Sequence, residues 1–141
     1  MPMHVNAYLN FGGNCAEALR YYEEHLGAKL LFSMTFDQAP PGNPTPPDFD
    51  PKSIMYAHVS LGDTHIMGND VAPSHYEPMR SAYVALSVDS IAEAERIYKA
   101  LSDGGQVFMP IAETFFAFRF AMLRDKFGIN WMVLHPRPMQ N

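Results

Sequence analysis

The segment Asn14-Cys-Ala-Glu-Ala-Leu-Arg-Tyr-Tyr-Glu-Glu-His-Leu-Gly27 has the pattern of a short amphipathic helix. Its apolar residues recur at the spacing of a single helical face, namely Cys15, Ala18, Leu19, Tyr22 and Leu26. Asn14 is predicted to cap this helix by accepting the backbone N–H of Glu17, whose side chain can reach back towards the cap. Gly27 is predicted to end the helix.

The same pattern occurs a second time, about half a chain later. Ser90-Ile-Ala-Glu-Ala-Glu-Arg-Ile-Tyr-Lys-Ala-Leu101 again has a capping residue followed three positions later by a glutamate, and Gly104 and Gly105 end it. A strand-like run precedes each helix, at 6–11 and at 83–88. Two such copies are typical of a duplicated strand–helix–strands module and not of a solenoid.

The runs around the helices predict the remaining strands and their faces. Alternation over 3–11 places Val5 and Leu9 on the helix side, with Asn6 and Tyr8 on the opposite side, where a pocket is expected. A hairpin is predicted around a Gly62-Asp63 turn. The other predicted strands are 28–36, 54–61, 64–69, 81–88, 106–111, 118–123 and 129–135.

The order βαβββ, repeated, predicts an α+β fold with one helix on one face of each curved mixed sheet. At 141 residues the chain is predicted to be a single domain, 1–141, with a first module over 1–70, a linker over 71–80 and a second module over 81–136. The proline-rich stretch at 38–52 is predicted to be a long loop, either a lid or an insertion.

Composition restricts the possible partners. The net charge is −5 and no cluster of Lys and Arg is present, which argues against nucleic acid or an anionic membrane as a partner. No uncharged run is long enough to predict a membrane span, and no signal peptide is visible. The single cysteine, Cys15, forbids an internal disulfide, so a cytoplasmic location is expected and Cys15 is interpreted as a packing residue.

Three stretches together resemble the PhnB-like branch of the vicinal-oxygen-chelate (glyoxalase/bleomycin resistance/dioxygenase) superfamily. They are Tyr8-Leu-Asn-Phe-Gly-Gly-Asn-Cys-Ala-Glu-Ala-Leu-Arg-Tyr-Tyr22 with Leu26-Gly-Ala28, Glu113-Thr-Phe-Phe116, and Asp125-Lys-Phe-Gly-Ile-Asn-Trp131. The resemblance implies paired βαβββ modules around a cavity, often completed by a homodimer. Proteins of this kind are also described as similar to 3-demethylubiquinone methyltransferases, but the sequence has no glycine-rich strand–turn–helix for a nucleotide-like cofactor.

The resemblance also implies four positions for a divalent metal, two in each module. In this sequence they fall at Asn6, Met67, Tyr83 and Met132. Amide, thioether and phenol groups are poor partners for an oxygen-loving or imidazole-bound ion, so the usual metal site and any cofactor are predicted to be absent. A small-molecule pocket is the remaining expectation.

The candidate pocket residues are Asn6, Tyr8, His65, Met67, Tyr83, Met132 and Arg119. Arg119 is a candidate clamp for an anionic group, and Glu113 is the candidate for general acid–base catalysis. A displaced divalent-metal site built from His4, His65 and Glu113 is an alternative. Trp131 is expected in the core, because its position in the last strand points towards the helix.

Three functions follow as hypotheses: a pocket protein or enzyme without the usual metal, a metal-dependent lyase or dioxygenase with displaced ligands, and a protein that sequesters a small molecule such as a drug. The fold by itself does not choose among them, because this architecture supports many chemistries.

Overall fold

The computed structural model describes residues 3–42 and 49–138 of the chain. The elements are β1 (Ala7–Phe11), α1 (Cys15–Leu26), β2 (Lys29–Thr35), β3 (Ile54–Leu61), β4 (Thr64–Asp70), β5 (Val84–Ser87), α2 (Ile91–Ser102), β6 (Gln106–Ala112), β7 (Ala117–Arg124) and β8 (Asn130–Pro136). The predicted βαβββ duplication is confirmed. Residues 43–48 of the predicted loop lie outside the described residues, so the interpretation of this loop as a lid stays a prediction.

The chain divides into two compact units, 1–77 and 78–141. The first unit contains a mixed four-stranded sheet in the order β1-β4-β3-β2, and the second contains one in the order β5-β8-β7-β6. In each sheet the first strand is parallel to the last strand of its unit, and the other neighbours are antiparallel. The two units therefore share one topology, and the α+β fold class is confirmed.

In the first unit, α1 packs on one face of the sheet. The buried residues from the helix and the strands are Leu9, Phe11, Cys15, Ala18, Leu19, Tyr22, Ala57, Val59 and Ile66. A helix of 12 residues is marginal by itself, so this apolar burial is what stabilises α1. We call the sheet face opposite α1 the open face of the first sheet.

The start of the first strand differs from the prediction. Strand β1 begins at Ala7, and Val5 is 94% exposed and does not pack against the helix. The ladder between β1 and β4 starts where Ala7 lies beside Ile66. The alternation of apolar and polar residues before Ala7 therefore lacks a partner strand that would make it a half-buried strand.

The prediction that the Asn14 side chain caps α1 by accepting the backbone N–H of Glu17 is also wrong. Within the described part of the chain, the Asn14 side chain makes no capping hydrogen bond. The buried Asp70 carboxylate takes this role, because its Oδ1 accepts the backbone N–H groups of Gly13 and Cys15 at 3.1 and 2.9 Å. These donors differ from the Glu17 N–H that Asn14 was predicted to accept, so a charged acceptor from β4 holds the start of α1 through other backbone groups. At the other end Gly27 adopts the predicted left-handed conformation.

In the second unit, the local rules predicted more of the structure. Ser90 caps α2 by accepting the backbone N–H of Glu93 at 3.1 Å. A side chain at Gly105 would lie 2.2 Å from the carbonyl oxygen of Arg124, so only glycine fits there. Trp131 is fully buried, and its indole N–H donates to Asp125 Oδ2 at 2.8 Å. The prediction that Trp131 belongs to the core is confirmed.

No helix over 3–42 or 49–138 is long and apolar enough to cross a membrane.

Candidate functional site

Aromatic and imidazole side chains collect on the open face of the first sheet. In β3, Tyr56 and His58 alternate with the buried Ala57 and Val59 and therefore point away from α1. By the same alternation this face receives Tyr8 from β1 and both His65 and Met67 from β4. The structure thus brings three of the predicted pocket residues, Tyr8, His65 and Met67, onto one face.

The rings on this face form a continuous row. Tyr8 stacks near Tyr56 with the ring centroids 6.5 Å apart and the planes inclined by 25°. Phe32 of β2 lies on the other side of Tyr56, with a centroid separation of 6.0 Å. These distances fall in the range of attractive aromatic pairs. The row forms an apolar surface of rings contributed by β1, β3 and β2, which we call the aromatic platform.

A pair of histidines continues the row towards the hairpin turn. His58 Nε2 and His65 Nδ1 are 2.8 Å apart, which is a hydrogen bond between the two imidazoles. His58 Nδ1 lies 3.5 Å from the Tyr56 hydroxyl oxygen. Both histidines are half-buried. Polar groups that can donate or accept a proton therefore lie at the edge of the aromatic platform.

Tyr8 differs from an ordinary surface tyrosine. Burial raises the pKa of its hydroxyl above the usual value, and the nearby Tyr56 and Cys15 contribute in the same direction. A tyrosine hydroxyl is protonated in the physiological range even at its ordinary pKa of 10.0, and the upward shift extends this to higher pH. Tyr8 can therefore act as a hydrogen-bond donor to a bound ligand.

Sequence reasoning missed Phe32, Tyr56 and His58. The signal for the last two was present, because they alternate with the apolar Ala57 and Val59. Their partners depend on the register of the hairpin, in which His58 lies beside Met67 and Ser60 beside His65. Phe32 lies at a bulge in the pairing of β2 with β3, which periodicity does not reveal.

Tyr83 and Met132, the predicted pocket residues of the second unit, lie on the side of its sheet opposite α2. Met132 is beside Ala85 in β8 and β5, while Trp131 and Val133 are buried on the helix side. The Tyr83 ring meets the Phe108 ring edge to face at 6.4 Å. Arg124 lies over Phe108 at 5.4 Å and donates to Asn130 Oδ1 at 2.9 Å.

Arg119 has different surroundings from those expected of an anion clamp. Its Nε donates to Glu95 of α2 at 3.1 Å, and its Nη1 donates to the carbonyl of Phe118 at 2.6 Å. Arg119 therefore lies on the side of the sheet that carries α2. Arg124, which sequence reasoning did not select, is the arginine on the opposite side.

Glu113, the predicted acid–base group, lies in a turn of the second unit and is largely exposed. Its carboxylate pairs with Arg137 Nη2 at 2.6 Å, and Arg137 Nε donates to the carbonyl of Thr114 at 3.1 Å. This ion pair holds the turn to the end of β8. Asn6 and His4 precede β1 and are exposed.

Comparisons with known proteins agree with this architecture. The family model of the glyoxalase/bleomycin resistance protein/dioxygenase superfamily matches residues 4–133. The chain belongs to this superfamily. It is 32% identical to protein YjdN of Escherichia coli K12 over 138 residues, which cover 93% of this chain and 94% of that protein.

Two solved structures show the same fold. Protein PA1353 from Pseudomonas aeruginosa is 39% identical, with a TM-score of 0.85, over 95% of this chain and 98% of that one. The PhnB protein from Bacillus cereus is 18% identical, with a TM-score of 0.77, over 94% of this chain and 99% of that one. The resemblance to the superfamily is confirmed, and the similarity to the PhnB protein is a similarity of fold.

The four positions at which the superfamily resemblance implies a divalent metal carry Asn6, Met67, Tyr83 and Met132 in this chain. Met67 lies beside Tyr8 in the sheet, and Met132 lies beside Met122 and Ala85. Thioether, amide and phenol groups supply neither a carboxylate nor an imidazole at these four positions. A hard divalent ion would lose hydration there with little compensation. The residues at Asn6, Met67, Tyr83 and Met132 do not fit the superfamily's divalent metal.

Proposed function

We propose that this chain binds a flat aromatic small molecule on the open face of its first sheet, without the superfamily's divalent metal. The observation that carries the proposal is the row of rings from Tyr8 through Tyr56 to Phe32, with His58 beside Tyr56 and hydrogen-bonded to His65. An apolar platform with a few polar groups at one edge is the usual composition of a small-molecule site.

The shape and chemistry of this face favour a planar ligand with a polar substituent. A planar ring stacks on Tyr8 and Tyr56, and each aromatic contact contributes about 0.5–1.5 kcal/mol beyond the buried area. The Tyr8 hydroxyl, held protonated, donates to an oxygen of the ligand, and the histidine pair accepts or donates according to its tautomer. Methionine at position 67 adapts its shape to the ligand.

Ligand-observed NMR with 4-nitrophenol tests the proposal. Tyr8→Ala and Tyr56→Ala are each expected to weaken binding about 5- to 10-fold, because each removes one stacking partner. Phe115→Ala is the matched control, because this exposed aromatic lies in the second unit, and it is expected to bind like the wild type. Equal binding by folded Tyr8→Ala and Tyr56→Ala variants would refute the proposed site.

The fate of the bound molecule distinguishes the hypotheses that involve a pocket. An enzyme returns a chemically altered ligand, whereas a sequestration protein returns the molecule unchanged. Acid–base catalysis would fall to His58 and His65, which lie beside the platform, or to Glu113. Mass spectrometry of the ligand after incubation with stoichiometric protein separates the two functions.

If the chain lacks the superfamily's divalent metal because of the residues at these positions, introducing metal-ligating residues there should create Mn²⁺ binding. Asn6→His combined with Met67→Glu is expected to bind Mn²⁺ at least about 10-fold more tightly than the wild type, because it supplies an imidazole and a carboxylate. Position 67 lies on the open face in β4, and position 6 immediately precedes β1, whose pairing with β4 begins at Ala7. Electron paramagnetic resonance of free Mn²⁺ measures the affinity.

The matched control for this gain is Asn6→His combined with Met67→Gln, which has the same side-chain length without the charge. It is expected to remain close to the wild type, because the carboxylate supplies most of the compensation for a hard cation. Tight Mn²⁺ binding by the wild-type protein would overturn the assignment of these positions as unsuited to the metal.

We further propose that the protein is a homodimer in a reducing cytoplasm. The edge strands β2 and β6 expose apolar side chains, including Leu31 at 51% and Met109 at 45%. Exposed apolar edge strands tend to pair with another chain, and a second copy of this chain would bury them. Light scattering is expected to give twice the chain mass of 15.9 kDa. Leu31→Lys or Met109→Lys should shift the measured mass towards that of the monomer. Asp63→Lys, in the exposed hairpin turn, should not.

A further inference from the structure

The histidine pair of the first unit has a geometry that aromatic binding does not require. His58 and His65 lie on neighbouring strands joined by the Gly62-Asp63 turn, and the register carries them to a diagonal contact on the open face. Their nitrogens are 2.8 Å apart, and their ring planes are inclined by 70°. Two imidazole nitrogens this close, on adjacent strands of one hairpin, can bind one ion together once neither facing nitrogen carries a proton.

We propose that His58 and His65 form a two-imidazole site for a transition-metal ion, with Cu²⁺ as the preferred ion. If an ion lay about 2.0 Å from each nitrogen, the observed N–N separation of 2.8 Å would give a nitrogen–metal–nitrogen angle of about 90°. This is the angle between neighbouring ligands in the tetragonal geometry of Cu²⁺. A tetrahedral ion such as Zn²⁺ would need nitrogens about 3.3 Å apart.

The two neutral imidazoles carry their protons in a way that allows a metal ion to replace the proton shared between them. In the hydrogen-bonded state one facing nitrogen carries the shared proton and the other accepts it. Coordination requires both facing nitrogens to be free, so His58 must carry its proton on Nδ1 and His65 on Nε2. The Tyr56 hydroxyl oxygen lies 3.5 Å from His58 Nδ1 and can accept a hydrogen bond from the N–H there. Tyr56 would then act as the positioning residue that fixes the tautomer of a metal-binding histidine.

The neighbouring side chains favour a borderline or soft ion. Met67 lies directly beside His58 in the sheet, so its thioether is a further candidate donor on the same face. Within the described part of the chain, no group of three His, Cys, Asp or Glu side chains is placed to hold a metal. Two imidazoles with a thioether match copper better than Mg²⁺ or Mn²⁺, which prefer oxygen ligands.

Titration of the full chain with Cu²⁺ tests the proposal in a His4→Gln background, which removes the imidazole close to the start of the sequence. One equivalent of Cu²⁺ should bind, and pulsed electron paramagnetic resonance should detect two imidazoles. His58→Gln and His65→Gln should each weaken binding about 100-fold, and Tyr56→Phe about 10-fold, the lower end for a residue that orients a ligand. His75→Gln is the matched control, because this histidine lies in an exposed turn and should not change the affinity.

The proposal is overturned if folded His58→Gln and His65→Gln variants retain wild-type Cu²⁺ affinity, or if the bound copper shows a single imidazole. Circular dichroism checks that each variant keeps its fold, and His65→Asn provides a second variant at the same position. The result is independent of aromatic binding, because 4-nitrophenol binding is read from Tyr8→Ala, which leaves both imidazoles in place.

Discussion

Replacement of Asp70 by asparagine is expected to lower the free energy of unfolding by about 3–5 kcal/mol, because one buried carboxylate joins three segments of the first unit. Its Oδ1 accepts the N–H groups of Gly13 and Cys15, and its Oδ2 accepts the N–H of Ile54 at 2.9 Å. The side chain is 2% exposed, so water does not replace a lost acceptor. Asparagine keeps one oxygen and turns an amide N–H₂ towards a backbone donor.

Urea denaturation of the wild type and of Asp70→Asn measures this difference. Asp63→Asn is the matched control, because Asp63 lies in the exposed hairpin turn, and it should change the unfolding free energy by less than about 0.5 kcal/mol. A loss below about 1 kcal/mol in Asp70→Asn would show that the three backbone donors find other acceptors. Asp70 ends β4, so its loss should also loosen the strand that carries His65 and Met67.

The role of Asp70 illustrates what the sequence could not reveal. The periodicity of α1, the left-handed Gly27 and the hairpin turn are local signals, and the structure confirms each of them. The acceptor at the start of α1 comes from a residue 55 positions away from Cys15, so a cap predicted from neighbours selected Asn14 instead. Ser90 shows the opposite case, because its own hydroxyl caps α2 as the neighbouring sequence predicts.

The candidate site divides in the same way. Strand alternation placed Tyr8 and Met67 on the open face of the first sheet and Trp131 on the helix side of the second sheet, because a side-chain period of two depends only on the local backbone. The contact between His58 and His65 depends on register across a turn, and the surroundings of Arg119 depend on an irregular pairing at the start of β7. Alternation within a single strand therefore does not reveal either arrangement, because each depends on how that strand pairs with its neighbour.

The thiol of Cys15 provides a second large effect, which depends on pH. Burial, with a further contribution from the Asp70 carboxylate, raises the pKa of Cys15 from its ordinary value of 9.0 to about 12. In the unfolded chain the thiol ionises near pH 9.0, whereas the native protein keeps its proton up to the higher value. Rising pH therefore favours the unfolded state, and the stability present below pH 9 is lost between pH 9 and 12.

The free energy of unfolding should consequently fall with a limiting slope of about 1.4 kcal/mol per pH unit above pH 9, up to about 4 kcal/mol for the whole shift. Other groups also titrate in this range, so the measurement is the difference between the wild type and Cys15→Ala, in which the thiol is absent and this slope should vanish. The wild-type thiol should also resist a disulfide reagent at pH 8 in the folded state, because Cys15 is fully buried. Parallel stability curves for the two proteins from pH 8 to pH 11 would show that the native and unfolded thiols ionise alike, and fast labelling at pH 8 would show that the core around α1 opens more readily than its packing indicates.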